Sequence, residues 1–482
     1  MKDKYEAVIG LEVHAQLSTK TKAFCACSTK FGNEPNSNVC PVCLGHPGVL
    51  PVLNKKVVEF SVLMGMATNC KINKHSVFAR KNYFYPDLPK SYQISQFEEP
   101  ICSDGFIIIK NDSNEKKNVR IERIHIEEDA GKSIHDFGSD TLIDLNRCGV
   151  PLIEIVSKPD IGCAKDASLY MQKIQQILRY LEICDGNMEE GSLRCDANVS
   201  VRKKGDKNLG TKTEIKNMNS FKNVERAINF EIERQIDLLE EGQEIFQQTL
   251  LWNADLNKAE SMRSKEESDD YRYFPEPDLF PVVIDKEFEE ILKKQLPELP
   301  EEKFERFISQ YQIPEYDAQI LTNEKALADY FDKAAKFIDD YKLLSNWVMG
   351  DVLGYLNNEK ISILYFSVPP EILAELLNFI KDGTISGKIA KEVFSEMISN
   401  KKSAKEIISK KNLSQISDTN LLEEVIDTVF KEYPKQVQEY IDGKEKLISF
   451  FVGKIMQTTK GKANPSLLNK LLKNKLDLLK NK

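Results

Sequence analysis

The chain has 482 residues, of which 41% are hydrophobic and 29% are charged, and its formal net charge at pH 7 is -8. This length predicts two or three domains. The acidic balance argues against indiscriminate coating of nucleic acid, and no apolar run reaches the ~20 residues of a membrane-spanning helix. Because the N-terminus leads into a predicted strand without a signal or transit pattern, we expect a soluble cytoplasmic protein without a membrane partner.

The first predicted strand, residues 7–17, places Glu12 and His14 on one face. A carboxylate and an imidazole in this arrangement can converge on a cation or on a phosphate-bearing ligand. A solvated strand face is the competing interpretation.

Four of the ten cysteines follow in two close pairs, Cys25-x-Cys27 and Cys40-x-x-Cys43. In a cytoplasmic chain this usage favours metal binding or free thiols over disulfides. The spacing across a Gly/Asn/Pro-rich loop is typical of a tetrahedral zinc knuckle. Four thiolates leave no open position for a substrate, so we expect a structural Zn²⁺ that stabilises the loop 25–43.

Residues 80–87 combine cations with aromatic rings: Arg80 and Lys81 precede Tyr83 and two more aromatic residues. Aromatic rings beside cations suit stacking on a base or a ribose while the cations contact phosphate. Packing of these rings in the core is the alternative.

Two glutamates occupy strand positions where the pattern predicts a buried apolar side chain. Glu128 ends a face that it shares with Ile124 and Ile126, whereas His125 and Glu127 lie on the opposite face. Glu154 lies within the apolar run 152–156. Such a carboxylate is unfavourable unless a cation or an arginine offsets its burial. A structural ion pair of Glu154 with Arg147 is the alternative to a bound cation.

The segment 130–133, Ala-Gly-Lys-Ser, does not complete a P-loop, because isoleucine stands at position 126 where that motif needs glycine. A later strand, residues 210–216, places Lys212, Glu214 and Lys216 on one face. With Glu12, His14, Glu128 and Glu154, Glu214 completes an oxygen-rich set that favours Mg²⁺. A sheet that presents such groups to Mg-nucleotide can promote phosphoryl transfer by positioning and charge neutralisation.

Beyond Pro297, helical patterns with Lys/Glu-rich faces replace the strands, and residues 409–417 indicate a hinge between two helical units. From Lys460 onward, seven lysines face a single acid, Asp477. A lysine-rich terminal face suits contact with an RNA backbone, and a merely solvated face is the alternative.

Five runs resemble the B subunit of the tRNA-dependent amidotransferase family. They are residues 10–14 (GLEVH), 80–87 (RKNYFYPD), 125–132 (HIEEDAGK), 144–154 (DLNRCGVPLIE) and 269–278 (DDYRYFPEPD). The resemblance extends along the whole chain. That family converts Glu-tRNA(Gln) to Gln-tRNA(Gln), and often Asp-tRNA(Asn) to Asn-tRNA(Asn), for protein synthesis.

The resemblance implies an α+β fold with three domains. Residues 1–292 would form a catalytic cradle, an antiparallel sheet flanked by helices that resembles the glutamine-synthetase and guanidino-kinase fold. Residues 293–409 would form an all-α helical domain, and residues 410–482 a helical tail domain that binds tRNA.

The resemblance also implies an ATP-dependent carbon–nitrogen ligase. Mg-ATP would phosphorylate the side-chain carboxylate of the misacylated amino acid, and ammonia would then displace the phosphate. His14, Glu128 and Glu154 would hold Mg²⁺, and Glu12 and Glu214 would support a second cation or the nucleotide. The expected nucleotide contacts are Arg80, Lys81, Tyr83, Arg147 and Lys212.

Neither a Ser-Ser-Lys amidase signature nor a Cys-His glutaminase pattern is present, so ammonia must come from a partner. The family supplies it from an A subunit, and a small C subunit joins the two. The rival hypothesis is a non-catalytic scaffold that only presents tRNA to an amidase. Such a scaffold would have no use for Glu128 and Glu154 on apolar faces.

Overall fold

The computed structural model describes residues 4–111, 115–137, 140–261, 271–411, 413, 419–459 and 463–480. The chain divides into two compact units, residues 1–300 and 301–482. The first part of the run 269–278 and the lysines Lys460, Lys462 and Lys482 lie outside the described residues. Among the helices within the described ranges, none is long and apolar enough to cross a membrane.

The first unit combines strands with four helices. Its strands are β1 (Tyr5–Gln16), β2 (Lys71–Ile72), β3 (His75–Ser76), β4 (Ala79–Asn82), β5 (Tyr92–Ser95), β6 (Cys102–Lys110), β7 (Lys116–Glu128), β8 (Lys132–Phe137), β9 (Asp140–Asp144), β10 (Pro151–Ser157), β11 (Leu193–Lys203), β12 (Thr213–Lys216), β13 (Thr249–Asn253), β14 (Lys258–Ser261), β15 (Phe274–Pro275) and β16 (Val282–Val283). Its helices are α1 (Lys55–Ala67), α2 (Ala164–Tyr180), α3 (Phe221–Glu240) and α4 (Lys286–Gln295).

Nine strands form one sheet in the order β14-β13-β12-β11-β1-β10-β7-β6-β2. Neighbouring strands run antiparallel except β12 and β13, which are parallel. The prediction of an antiparallel sheet is therefore corrected to a mixed one. The reason is that α3 connects β12 to β13, and a helical crossover returns the chain in the same direction.

One face of this sheet carries the core and the other is polar, as β1 illustrates. Leu11, Val13 and Ala15 are fully buried and share a hydrophobic core with Ile174 of α2 and Ile228 of α3. The intervening residues of β1 are polar and only partly buried. Since side chains alternate along a strand, every strand that pairs with β1 contributes polar residues to this second face.

Twelve further α-helices follow in chain order within the described ranges. They are α5 (Pro300–Tyr311), α6 (Glu315–Leu321), α7 (Lys325–Ala334), α8 (Tyr341–Trp347), α9 (Leu353–Glu359), α10 (Pro370–Lys381), α11 (Gly387–Asn400), α12 (Ala404–Lys411), α13 (Thr419–Glu432), α14 (Pro434–Ile441), α15 (Ile448–Thr458) and α16 (Pro465–Lys480). A π-helical turn, Val348–Val352, joins α8 to α9, and 3-10 turns lie at Ile363–Tyr365 and Glu445–Leu447.

These helices enclose two separate hydrophobic cores, one built around Phe331 and Leu377 and the other around Phe451 and Leu472. The first residues of the predicted hinge at residues 409–417, Ser409 to Lys411, belong to α12, whereas residues 412 and 414–417 lie outside the described residues. Ile407 and Ile408 of this helix are buried in the first core, which favours continuation of the helix to its end.

Candidate active site

The polar face of the nine-stranded sheet brings an imidazole and two largely buried carboxylates together. The antiparallel register sets His14 of β1 opposite Glu154 of β10, and Glu127 follows on the same face of β7. Nε2 of His14 lies 3.4 Å from Oε1 of Glu127 and 3.5 Å from Oε2 of Glu154. We call His14, Glu127 and Glu154 the acidic triad.

The electrostatics of the acidic triad indicate a site for positive charge. Burial alone would lower the pKa of His14, but Glu154 and Glu127 outweigh it and raise this pKa to about 9. Burial would raise the pKa of Glu154, whereas His125 and His14 hold it well below its usual range. One potential ligand atom of each triad residue lies within 4.8 Å of the others. This donor set fits a divalent cation that keeps part of its water shell.

A second group lies across β1 from the triad and consists of Glu12, Asp196 and Glu214. Their carboxylates also approach within 4.8 Å of one another. Nζ of Lys216 lies 2.6 Å from Oδ2 of Asp196 and 2.8 Å from Oε1 of Glu214, so an ammonium already offsets part of the charge. Burial, followed by the charges of Glu154, Glu214 and Asp196, raises the pKa of Glu12. We call these three acids the second acidic group.

The prediction that Glu128 joins His14 and Glu154 is corrected, because the structure does not place Glu128 with these two residues. It lies on the core side of β7, forms a buried ion pair with Lys90 and accepts a hydrogen bond of 2.9 Å from the backbone amide of Ile94. Adjacent strand residues point to opposite faces, so Glu127 reaches the acidic triad and Glu128 cannot. The burial of Glu128 was thus correctly anticipated, but its partner is a lysine.

Two of the predicted nucleotide contacts are engaged elsewhere. Arg80 donates to both oxygens of Glu276 at 2.7 and 2.9 Å and to Asp278 at 3.1 Å, so protein carboxylates occupy its guanidinium. Arg147 donates to the carbonyl oxygens of Ala130 and Gly131 at 2.9 and 2.6 Å. It therefore braces the turn after β7 and is not the ion-pair partner of Glu154.

Lys81 and Tyr83, by contrast, lie at the edge of the acidic triad. Burial would lower the pKa of Lys81, but Glu127 and other anionic groups raise it above its usual value. Its Nζ lies 4.5 Å from the ring centroid of Tyr271 and 6.0 Å from that of Tyr83. Lys212 is exposed just before β12. The lysine of this segment that contacts the second acidic group is Lys216, through Asp196.

The sequence did not indicate that four further residues of this face contribute to the two groups. They are Glu127, His125, Asp196 and Lys216. The signal for Asp196 was available in the alternation Arg194-x-Asp196-x-Asn198. This pattern repeats the polar alternation of Glu12, His14 and Gln16, and the register pairs Glu12 with Asp196. Glu127 was assigned to the face opposite Glu128 but was not predicted to lie beside His14 and Glu154.

The four cysteines of the knuckle converge as predicted, with their sulfur atoms within 4.8 Å of one another. A hydrogen bond from the Cys25 thiol, the backbone amide of Cys40 and the Lys22 ammonium outweigh burial and lower the pKa of Cys43 to about 4. The group can hold a metal ion and is compatible with structural zinc.

The knuckle loop is also fastened to a second loop. The backbone amide of Asn36 donates to Asp144 at 3.0 Å, and that of Asn38 donates to Asn146 at 2.7 Å. Asp144 ends β9, and Asn146 lies in the connection from β9 to β10, the strand that carries Glu154. The knuckle therefore supports the chain segment that leads into the acidic triad.

Comparison with known proteins gives matches along nearly the whole chain. Residues 7–290 match the family model described as the GatB/GatE catalytic domain, and residues 329–476 match the model described as the GatB domain. A protein named as the B subunit of an aspartyl/glutamyl-tRNA(Asn/Gln) amidotransferase, from Chlorobium phaeobacteroides, is 58% identical over 98% of this chain and 99% of its own length. The protein of the same name from Thermodesulfovibrio yellowstonii is 57% identical over 97% of this chain and 98% of its own length.

Proposed function

The chain belongs to the GatB family of amidotransferase subunits, and from this premise we propose that it carries the kinase and amide-forming site of a glutamine-hydrolysing, tRNA-dependent ligase. Its substrates are ATP and Glu-tRNA(Gln) or Asp-tRNA(Asn), and its product is the corresponding amidated aminoacyl-tRNA. We place this reaction in the cytoplasm, where its aminoacyl-tRNA substrates are used for protein synthesis.

The observation that carries this proposal is the pair of acidic groups on the polar face of one sheet. Phosphoryl transfer to a carboxylate must bring two anions together, the nucleotide phosphates and the acceptor. A face that gathers divalent cations offsets their repulsion and can hold both in line. A scaffold that only presents tRNA has no need for six potential ligands in this arrangement.

The residues of the acidic triad would hold one Mg²⁺, and those of the second acidic group would support a second cation or the nucleotide. When bound, Mg²⁺ neutralises phosphate charge during transfer. Lys216 pairs with the carboxylates of both Asp196 and Glu214 and so reduces the repulsion between them. Lys81, at the edge of the triad, offers its ammonium to the phosphate or to the acceptor carboxylate.

The reaction proceeds in two balanced steps. An oxygen of the substrate's side-chain carboxylate attacks the γ-phosphorus of ATP, the bond to the β-phosphate oxygen breaks, and ADP leaves. Ammonia then attacks the acyl carbon of the resulting acyl phosphate, inorganic phosphate leaves with the C–O bonding pair, and the nitrogen loses a proton. Glutamine hydrolysis on a partner amidase, the A subunit, supplies the ammonia, and a small C subunit joins the two.

The same proposal assigns the domains of the chain and the metal ion of the cysteine knuckle. The sheet of the first unit corresponds to the cradle resembling glutamine synthetase and the guanidino kinases, within residues 1–292. Residues 293–409 form the helical domain and residues 410–482 the tail domain, and both contact tRNA. The knuckle of Cys25, Cys27, Cys40 and Cys43 holds a structural Zn²⁺ that stabilises the loop 25–43.

The decisive experiment uses the chain reconstituted with its amidase and C subunits. Purified complex is supplied with ATP, glutamine and either Glu-tRNA(Gln) or Asp-tRNA(Asn), and ADP and amidated tRNA are measured separately. ADP formation should require the misacylated tRNA and should fall by at least about 1,000-fold in Glu154→Gln, while glutaminase activity persists. Unchanged ADP formation by this variant would place the kinase site elsewhere and favour the scaffold hypothesis.

A further inference from the structure

Four aromatic rings form a cluster beside the acidic triad: Tyr83, Phe97, Tyr271 and Tyr273. Phe97 and Tyr273 stack in parallel, with ring centroids 4.3 Å apart and an interplanar angle of 8°. Tyr271 meets Tyr273 edge-on at 6.2 Å and Tyr83 edge-on at 5.9 Å. The cluster is therefore continuous from Tyr83 to Phe97.

The cluster borders the proposed reaction centre through Lys81. This ammonium lies over the ring of Tyr271, and Glu127, Tyr273 and Glu154 are among the groups whose charges act on it. Tyr273 in turn interacts electrostatically with Lys81, Glu154 and Glu127. Tyr273 thus connects Phe97, on which it stacks, with the charged groups of the triad.

The cluster is held in place by polar contacts with strand β4. The backbone amide of Asn82 donates to the carbonyl oxygen of Tyr271 at 2.8 Å, and its side-chain amide donates to the carbonyl oxygen of Arg272 at 2.7 Å. The ion pair of Arg80 with Glu276 fastens the segment just beyond Tyr273. A binding platform needs this kind of rigid support, because an ordered ring loses less entropy when a ligand stacks on it.

Phe97 provides an accessible surface for such a ligand. Its side chain is 51% exposed although one face of the ring is covered by Tyr273. An exposed phenylalanine at the end of a stacked pair offers the flat apolar surface that a nucleobase prefers, and base–aromatic stacking does not depend on sequence. Elsewhere in the cluster, Lys81 lies over the ring of Tyr271 and adds a positive charge that suits an RNA end.

We propose that Phe97 and Tyr273 form the platform on which the 3′-terminal adenine of the misacylated tRNA stacks. The inference rests on the proposed function. The amino acid is esterified to the terminal ribose, so only the aminoacyl chain and one sugar separate the reacting carboxylate from this adenine. When the carboxylate reaches the triad, the adenine must therefore bind close by, and the aromatic cluster adjoins the triad on the side of Lys81.

The test uses the reconstituted complex and Glu-tRNA(Gln) whose terminal adenine is replaced by 2-aminopurine, a base whose fluorescence is quenched by stacking. Wild-type complex should quench this fluorescence. Measured with the complex at saturating concentration, Phe97→Leu and Tyr273→Leu should remove most of the quenching, because the tRNA stays bound through the helical unit while its terminal base no longer stacks. Phe97→Tyr and Tyr273→Phe should retain it, and Phe246→Leu serves as a matched control at another exposed ring of the same unit.

A second measurement tests whether Phe97 and the terminal base of the tRNA take part in the same interaction. Removing the terminal base from the substrate should raise the KM for tRNA about 10- to 100-fold in wild type and cause no further increase in Phe97→Leu. Retained quenching in both leucine variants would overturn the inference, as would a rise in the KM for ATP alone, which would assign the platform to the nucleotide. Loss of subunit assembly in Phe97→Leu would identify a partner contact and would also overturn it.

These results are separable from the proposed function. If wild-type complex fails to amidate ordinary Glu-tRNA(Gln) and Asp-tRNA(Asn), the proposed function itself fails. If it amidates them but is indifferent to removal of the terminal base, only the platform is refuted.

Discussion

Nε2 of His125 lies 3.1 Å from Oε2 of Glu154, and both side chains are buried on neighbouring strands. Within the described part of the chain, Nδ1 of His125 has no hydrogen-bond partner, so the imidazole's specific polar contacts run through Nε2. A histidine that donates to a carboxylate ligand fixes the direction in which that carboxylate presents its free lone pairs. His125 is therefore a positioning residue for the acidic triad.

This geometry predicts that His125→Leu weakens Mn²⁺ binding, used as a probe for Mg²⁺, by about 10- to 100-fold. His125→Gln can still donate toward Glu154 and should recover much of the loss. Electron paramagnetic resonance titration of the isolated chain measures this without any turnover. Equal affinity in wild type and His125→Leu would show that the contact does not position Glu154.

The two adjacent glutamates of β7 should behave differently. Glu127→Gln removes a ligand of the acidic triad and should lower Mn²⁺ affinity by at least about tenfold. Glu128→Gln lies on the other face and should leave Mn²⁺ affinity unchanged, although it leaves the buried Lys90 without its partner and lowers thermal stability. The reverse result would restore the original assignment of Glu128.

The knuckle makes a prediction about metal content. Purified wild-type chain should contain one zinc per chain, and Cys40→Ser/Cys43→Ser should lose it, because two thiolate ligands are removed. Cys163→Ser, at an exposed cysteine outside the group, is the matched control and should keep the metal. Emission spectrometry of dialysed protein gives the answer, and a metal-free native protein would refute the assignment.

The two cores of the second unit define where the tail can be removed. Truncation after Leu413 spares α12 and the packing of Leu413 on the first core, whereas truncation after Ser409 would shorten that helix. The truncated complex should show a KM for tRNA raised by at least about tenfold and an unchanged KM for ATP. An unchanged KM for tRNA would remove the role assigned to the tail.

The lysines of α16 allow a finer version of that experiment. Lys475 lies 2.7 Å from Asp427 and Lys480 lies 3.6 Å from Glu445, so acids of the same unit offset part of their charge. Lys470 and Lys473 are exposed. Lys470→Ala/Lys473→Ala should therefore reduce the salt dependence of tRNA binding more than Lys475→Ala does, and equal effects would contradict this assignment.

Asp332 in the helical unit gives a pH-dependent prediction. It accepts hydrogen bonds from Arg306 at 2.6 and 3.0 Å and from the Tyr311 hydroxyl at 2.6 Å. Burial would raise its pKa, but these donors outweigh burial and lower it. A carboxyl whose pKa is lower in the folded state stabilises the fold above its unfolded pKa of about 4. That contribution disappears as the pH falls through the folded value.

Asp332→Asn should therefore reduce the free energy of unfolding by about 2 kcal/mol at pH 7. The difference from wild type should shrink below about pH 4. Urea titrations at pH 7 and pH 3 measure it. Asp339→Asn, which removes an exposed ion pair with Lys381, is the control and should have no measurable effect. A difference that is independent of pH would contradict the argument.

The sequence predicted the faces of the strands better than the partners across them. Alternation correctly placed Glu12 and His14 together and Glu127 opposite Glu128, because it depends only on the period of two. Which of these acids meets Glu154 depends on the register between β7 and β10, and that register is set by long-range pairing. The lysine that neutralises Glu128 likewise comes from a separate loop, 38 residues earlier.

The cysteine knuckle was predictable because its ligands are close in sequence, and their spacing alone limits their geometry. The second acidic group was only partly predictable. Asp196 and Lys216 come from β11 and β12, and the sequence does not show that β11 lies beside β1 and β12 beside β11. The pairing of Arg80 with Glu276 could not be predicted, because the two residues lie 196 positions apart in the sequence.

The polar residues of β7 also influence how this strand aligns with β10. A shift of β7 by a single residue would exchange the two faces of the strand, so that Ile124 and Ile126 would leave the core and His125 and Glu127 would enter it. Burying an imidazole and a carboxylate in the apolar core without their present partners is unfavourable. The side chains that build the acidic triad therefore also favour the correct alignment of β7 during folding, before any substrate is bound.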